Sequence, residues 1–185
     1  MELIKKGRIM MKINKKNILV YEKRYDADYK PKGRVVEEEM KRLLKKQRYL
    51  RREDLIRIGN WKSKRSKRHY ENEENDDLTV REITHLSFNA KSEKARINSL
   101  LTLKGVGWPV ASAILHFAFP AKYPIMDFRV ISSLSLDQPS SYNFSFWQKY
   151  CCEIHKISKK YKLPLRTVEK ALWKYSKENQ KSKNK

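Results

Sequence analysis

Between two helical stretches of this chain stands Gly105-Val106-Gly107, and this triplet restricts the possible folds more than any other feature. A glycine tolerates positive φ and lets another backbone come close. Two glycines around one valine therefore predict a tight turn between packed helices, with Val106 docked into the core. On the near side, Ser92 can cap a helix running through Ala95, Leu100 and Leu101. On the far side, Val110, Ala111, Ile114, Leu115 and Ala118 recur at helical spacing. Pro109 suits a first turn, where the N–H has no helical partner. The amides of Gly107 and its successors are expected to lie free at the positive end of that helix, an arrangement that binds phosphate. A plain connector between packed helices fits the same residues.

The rest of the chain predicts a mainly α fold. Val36, Met40, Leu43 and Leu44 place a helix over Val35 to about Gln47, with acids leading and bases trailing. A short helix follows from Glu53 to about Trp61. Thr79-Val-Arg-Glu82 reads as a capping box for a helix with Ile83 and Leu86 on one face. Asp127 opens a helix carrying Val130, Ile131 and Leu134. Trp147, Tyr150, Cys151, Ile154, Ile157 and Tyr161 share a helical face, and Pro164 starts a last helix through Val168, Ala171, Leu172 and Tyr175. Residues 1–33 read as a basic, aromatic N-terminal extension with strand character at Ile18 to Tyr21. The helical domain is expected over 34–180, interrupted near 62–77 by the exposed connector "KSKRSKRHYENEENDD", and 181–185 as a frayed tail. That connector is either a solvated loop whose basic and acidic halves attract each other or a loop contacting phosphate.

Charge narrows the partners. Lys and Arg total 43 against 21 acids, a formal net charge of +22. Such an excess draws a protein to polyanions, nucleic acid first, with a membrane surface or an acidic protein as weaker candidates. Hydrophobic content of 39% is enough for a core. Cys151 and Cys152 are adjacent, too close to staple a fold in the usual geometry. Buried thiols in a reducing compartment are expected. No run approaches a membrane span and the N-terminus lacks a signal-peptide core, so a soluble, intracellular monomer without a membrane partner is expected.

The stretch "LLTLKGVGWPVASAIL" resembles the helix-hairpin-helix of DNA repair proteins, in which a Leu-x-Gly-Val-Gly turn grips one strand's backbone. The likeness continues through the apolar helix into "AKYPIMDF", whose Asp127 lies 22 positions after Gly105, as in glycosylases of the helix-hairpin-helix-GPD superfamily. It covers roughly Ser92 to Leu134. The resemblance implies a helical-bundle glycosylase fold, with duplex DNA bound by Lys104, Gly105, Val106, Gly107 and Trp108 and a nucleoid-associated, cytoplasmic location. Asp127 would be the catalytic carboxylate, stabilising positive charge on the sugar as the base departs and helping to place or deprotonate a nucleophile. The target nucleotide would first be flipped from the duplex.

One departure defines the implied chemistry. Bifunctional members carry a lysine two positions after the second hairpin glycine; here that position is Pro109. The resemblance therefore implies a monofunctional glycosylase, or a non-catalytic module that only binds DNA. It implies that no cofactor is required. An iron–sulfur cluster needs four spaced cysteines and the chain has two. The backbone carbonyls of Leu101, Leu103 and Val106 would hold a monovalent cation. Trp61, Tyr123 and Phe128, with Trp108, are the aromatic candidates for stacking on a flipped base, while Trp147 and Trp173 fit core spacing. His85, His116 and His155 have no ligand spacing. A basic RNA-associated protein is a third, weaker reading.

Overall fold

A computed structural model describes residues 13–179 together with the backbone of Ile4–Lys5 and Arg8–Ile9. The fold is mainly α, with ten α-helices among the described residues. Apart from them stands one antiparallel pair of two-residue strands, β1 (Ile4–Lys5) and β2 (Arg8–Ile9). The described residues of Met1–Tyr29 and Pro124–Lys185 form one compact unit, and Lys30–Tyr123 form a second.

The second unit holds the hairpin. Helix α2 (Pro31–Lys46) starts four residues before the expected Val35, because Pro31 can occupy a first turn. It buries Met40, Leu44 and the Glu37 carboxylate, which pairs with Lys41 at 3.0 Å. Helix α3 (Arg52–Lys62) begins where Asp54 Oδ2 accepts the Arg51 N–H at 3.0 Å, and it buries Leu55 and Ile58. A 3-10 turn (Lys64–Ser66) and α4 (Lys67–Tyr70) lie within the expected connector. Helix α5 (Asp77–Asn89) is capped by Asp76, not Thr79: Asp76 Oδ1 accepts the Thr79 N–H at 2.9 Å, which makes Thr79 an interior residue of the first turn. Its buried face is Val80, Thr84, Ser87 and Phe88, whereas Leu86 is 62% exposed.

Helix α6 (Glu93–Leu101) is capped as expected, with Ser92 Oγ accepting the Ala95 N–H at 3.1 Å. Arg96 is buried, and its guanidinium donates to the Ser87 and Phe88 carbonyls at 3.0 and 2.7 Å. A cation at a helix C-terminus satisfies acceptors that have no helical donor, so Arg96 ties the end of α5 to α6. Helix α7 (Trp108–Ala118) is the unit's apolar centre, with every residue from Val110 to Phe117 buried, and it packs against α2, α3 and α6.

The first unit is organised on its last helix. Helix α10 (Leu165–Asn179) packs against α1 (Lys15–Asp28), α8 (Phe128–Ser133) and α9 (Phe144–Tyr161). Residues 15–28 are thus neither an extension nor a strand. Ile18 is fully buried on a helical face. Beside it runs a ladder to α10: Thr167 Oγ1 donates to Glu22 at 2.7 Å, Lys170 pairs with Asp26 at 2.9 Å, and Lys174 with Asp28 at 2.6 Å. Tyr21 and Tyr25 meet Tyr175 and Trp173 edge to face. The hydrogen bond from Lys174 holds the Asp28 carboxyl below its ordinary range. Trp147 is buried as its spacing implied, but Cys151 is only half-buried and Cys152 is exposed, against the expectation of two buried thiols. They sit at the margin of α9's buried face of Trp147, Tyr150 and Ile154.

Candidate nucleic-acid interface

The turn between α6 and α7 is built as its glycines demand, but the two glycines do different things. Gly105 has φ +79°, the left-handed region that L side chains rarely adopt. A Cβ there would also lie 2.7 Å from the Cβ of His69 and 2.9 Å from the Tyr70 ring. Gly107 has φ −89°, ψ 178°, an extended conformation open to any residue, and a Cβ on it would meet nothing nearer than Pro109 at 3.9 Å. Val106 is buried, as expected.

The amides differ from the expectation. The Gly107 N–H donates to the Gly105 carbonyl at 3.2 Å, and the Val110 and Ala111 N–H groups both close on the Gly107 carbonyl at 3.0 and 2.9 Å. Pro109 has no N–H to offer. The tight turn thus consumes donors that were expected to face a ligand. What it leaves exposed is the Lys104-Gly105 edge and Gly107.

The turn is held from outside by a segment that reads as an exposed connector in the sequence. Tyr70 is fully buried, with its ring between Gly59 of α3 and Gly105 of the turn; a Cβ on Gly59 would lie 2.5 Å from that ring. Asn75 is also fully buried. Its Oδ1 accepts the Lys104 N–H at 2.9 Å, and its Nδ2 donates to the Lys104 carbonyl at 3.0 Å and to the His69 and Tyr70 carbonyls at 3.2 Å each. Neither Tyr70 nor Asn75 sits in an apolar period, so only their residue types, isolated in a charged run, hint at burial.

The Lys104 ammonium pairs with Glu74 at 3.1 Å across an exposed surface. Trp108 is half-buried at the first position of α7. Of the carbonyls expected around a monovalent cation, Leu103's accepts the Val106 N–H at 3.1 Å and would offer such an ion its remaining lone pair. Among the described residues no group of His, Cys, Asp or Glu is arranged to hold a metal ion. His116 is fully buried with Nδ1 2.8 Å from the Tyr123 carbonyl, so that nitrogen carries the proton.

Asp127 belongs to the other unit. Its backbone is extended (φ −146°, ψ 137°), and Oδ1 accepts the Arg129 N–H at 3.0 Å, so Asp127 caps the helix it was expected to open. The cap fixes one oxygen of a carboxylate on a half-buried residue. Two residues before it, Ile125 is held at both ends of its backbone. Its N–H donates to the buried Glu169 carboxylate at 2.6 Å, and its carbonyl accepts from the buried Tyr150 hydroxyl at 2.6 Å. Burial, with the charges of Glu169 and Asp127 adding, pushes the Tyr150 hydroxyl well above its ordinary value. Glu169 and Tyr150 are therefore what positions the Asp127 loop, and neither was singled out from sequence for that task.

The expected base-stacking aromatics have separate fates. Trp61 lies edge to face on Phe117 and donates its indole N–H to the Gly33 carbonyl at 3.1 Å. Tyr123 is buried and donates to Glu93 at 2.7 Å; burial first, then that hydrogen bond, pushes it up to about 12. Phe128, next to Asp127, is 51% exposed, with the Arg129 guanidinium 5.1 Å from its ring centroid.

No family model, curated protein or solved structure matches the chain. No helix among the described residues is long and apolar enough to cross a membrane.

Proposed function

We propose that this protein binds duplex DNA through the α6–α7 hairpin and hydrolyses the N-glycosidic bond of a damaged or mismatched base, as a monofunctional glycosylase of base-excision repair. The observation that carries the DNA-binding part is the exposed edge of Lys104, Gly105 and Gly107, held by Asn75 and Tyr70, in a chain of net charge +22. A small-residue edge lets a phosphodiester backbone approach, and the surrounding cations supply salt-dependent affinity.

In this reading Asp127 carries the chemistry. The bond between the sugar C1′ and the base nitrogen breaks, and the pair of electrons leaves with the base. Water adds its oxygen at C1′ and gives one proton to Asp127; that proton passes through solvent to the departed base, which leaves the carboxylate as it began. The fixed carboxylate stabilises the cationic sugar through its charge, an effect strengthened by prior orientation. Pro109 carries no amine, so no Schiff base forms at that position and the DNA strand is left intact.

A second reading, a non-catalytic DNA-binding module, is favoured by one observation: Trp61 and Tyr123 are committed to protein partners. Incubating the protein with duplexes carrying single lesions, then treating them with alkali, separates the two readings. Strand breaks appearing only after alkali support the glycosylase. Salt-dependent binding without base release supports the module. No binding at low salt overturns both.

A further inference from the structure

Resting on the DNA-binding reading above, we infer that the basic run Lys64, Arg65, Lys67 and Arg68 is a second part of the same backbone-binding surface, docked onto the hairpin, and takes duplex phosphates. All four residues are exposed. In sequence they belong to a charged stretch with no apolar period. In the structure they sit on the 3-10 turn and α4, whose last residue, Tyr70, is wedged against Gly105. A helix rises about 1.5 Å per residue, so Lys67 and Arg68 start within about 5 Å of that contact along the axis.

Three independent ties hold this segment to the turn. Tyr70 fills the space between Gly59 and Gly105, and its hydroxyl donates to the Ser63 carbonyl at 3.3 Å. Asn75 Nδ2 bridges the His69 and Tyr70 carbonyls to that of Lys104. His69 packs its Cβ against Gly105. Cations on a free loop would lose conformational entropy on binding; here much of the backbone ordering is already done by folding, which favours affinity. Two of the cations have carboxylate partners, Lys67 with Glu71 at 3.5 Å and Lys104 with Glu74 at 3.1 Å. Both pairs are exposed, and exposed pairs are weak enough for a polyphosphate to displace.

The test compares two charge-matched variants of the full chain on one DNA duplex across a salt series. One replaces Lys64, Arg65, Lys67 and Arg68 with Gln; the other replaces Lys32, Arg42, Lys45 and Arg34, exposed positions on α2. Loss of two to four phosphate contacts should lower the slope of log K against log salt by about 2 to 4 for the first variant, with at least a tenfold weaker Kd at moderate salt. The second should change little. Equal losses in both would mean that net charge alone acts, and would overturn the inference. Thermal melting checks that the first variant folds, and the pair Arg65→Gln, Arg68→Gln repeats the test with a smaller change. If wild-type protein binds and neither run variant weakens it, this inference fails while hairpin binding stands. If wild-type protein does not bind, the underlying reading fails.

Discussion

Asn75 grips Lys104 at both ends of its backbone, accepting the N–H at 2.9 Å and donating to the carbonyl at 3.0 Å. A side-chain amide has one acceptor and two donors, and the two Nδ2 hydrogens also reach the His69 and Tyr70 carbonyls. Asn75→Ala would leave the buried Tyr70 carbonyl and the part-buried Lys104 and His69 groups without that partner, at about 1–3 kcal/mol for a lost buried hydrogen-bonding group. Asn75→Asp should be no better, since it puts a carboxylate against three carbonyl oxygens. Urea midpoints of the three proteins check this; an alanine variant as stable as wild type would show the clamp to be dispensable.

The two hairpin glycines should respond oppositely. Gly105→Ala forces a Cβ into left-handed backbone, about 1–2 kcal/mol, and into contact with His69 and Tyr70. Gly107→Ala has room and an ordinary φ, so its melting temperature should stay close to wild type. Gly107→Glu should also fold, yet bind DNA more weakly, because it sets a negative charge at the exposed turn. Melting curves and DNA titrations of the three variants give the comparison. A Gly107→Glu protein that melts early would make Gly107 a structural residue.

Asp127→Asn removes charge while keeping an amide oxygen able to cap α8, since Asn and Asp cap comparably. Base release should fall by about a hundredfold or more, the range for losing one preoriented electrostatic group. DNA binding should persist or tighten. Borohydride should trap no covalent adduct, because Pro109 stands where an amine would attack. An efficiently trapped adduct would instead point to Lys104 or another lysine.

Glu93 gives a pH signature. Burial raises its carboxyl, but hydrogen bonds from Lys122 and Tyr123 outweigh this, so its folded value lies below the ordinary 4.5. A lowered carboxyl contributes stability that is present above the ordinary value and is lost as pH falls through the folded one. The gap in melting temperature between wild type and Glu93→Gln should therefore be full above about pH 5 and close progressively in acid. A gap that widens in acid would reverse the sign of the shift.

Legibility from sequence followed periodicity. The caps at Ser92 and Asp127 and the apolar faces of α7, α9 and α10 were readable because short-range spacing carries them. Helix α1 was not: Ile18 is its one fully buried apolar residue, and its hold on the fold comes from Glu22, Asp26 and Asp28 meeting Thr167, Lys170 and Lys174. Pairings across more than 140 positions leave no local trace. Tyr70 and Asn75 were hidden for a different reason. Each is a single buried residue among charges; the burial of Tyr70 depends on the space left by Gly59 and Gly105, and that of Asn75 on the Lys104 backbone 29 positions away. The free amides expected at Gly107 failed because the turn closes on itself more tightly than spacing alone reveals.

The pairing of α1 with α10 has a consequence for how the chain is made. The unit that holds Asp127 is interrupted by the whole of Lys30–Tyr123, so its first helix emerges from the ribosome long before its last. The inserted unit is complete once residue 123 is clear, and domains generally fold as units during synthesis. Helix α1, with Ile18 and its row of acids, must wait for the final helix to be translated. Until then its apolar and charged face has no mate, and closing so distant a contact is intrinsically slow. A nascent chain stalled near residue 160 should thus carry a finished hairpin beside an unfinished Asp127 unit.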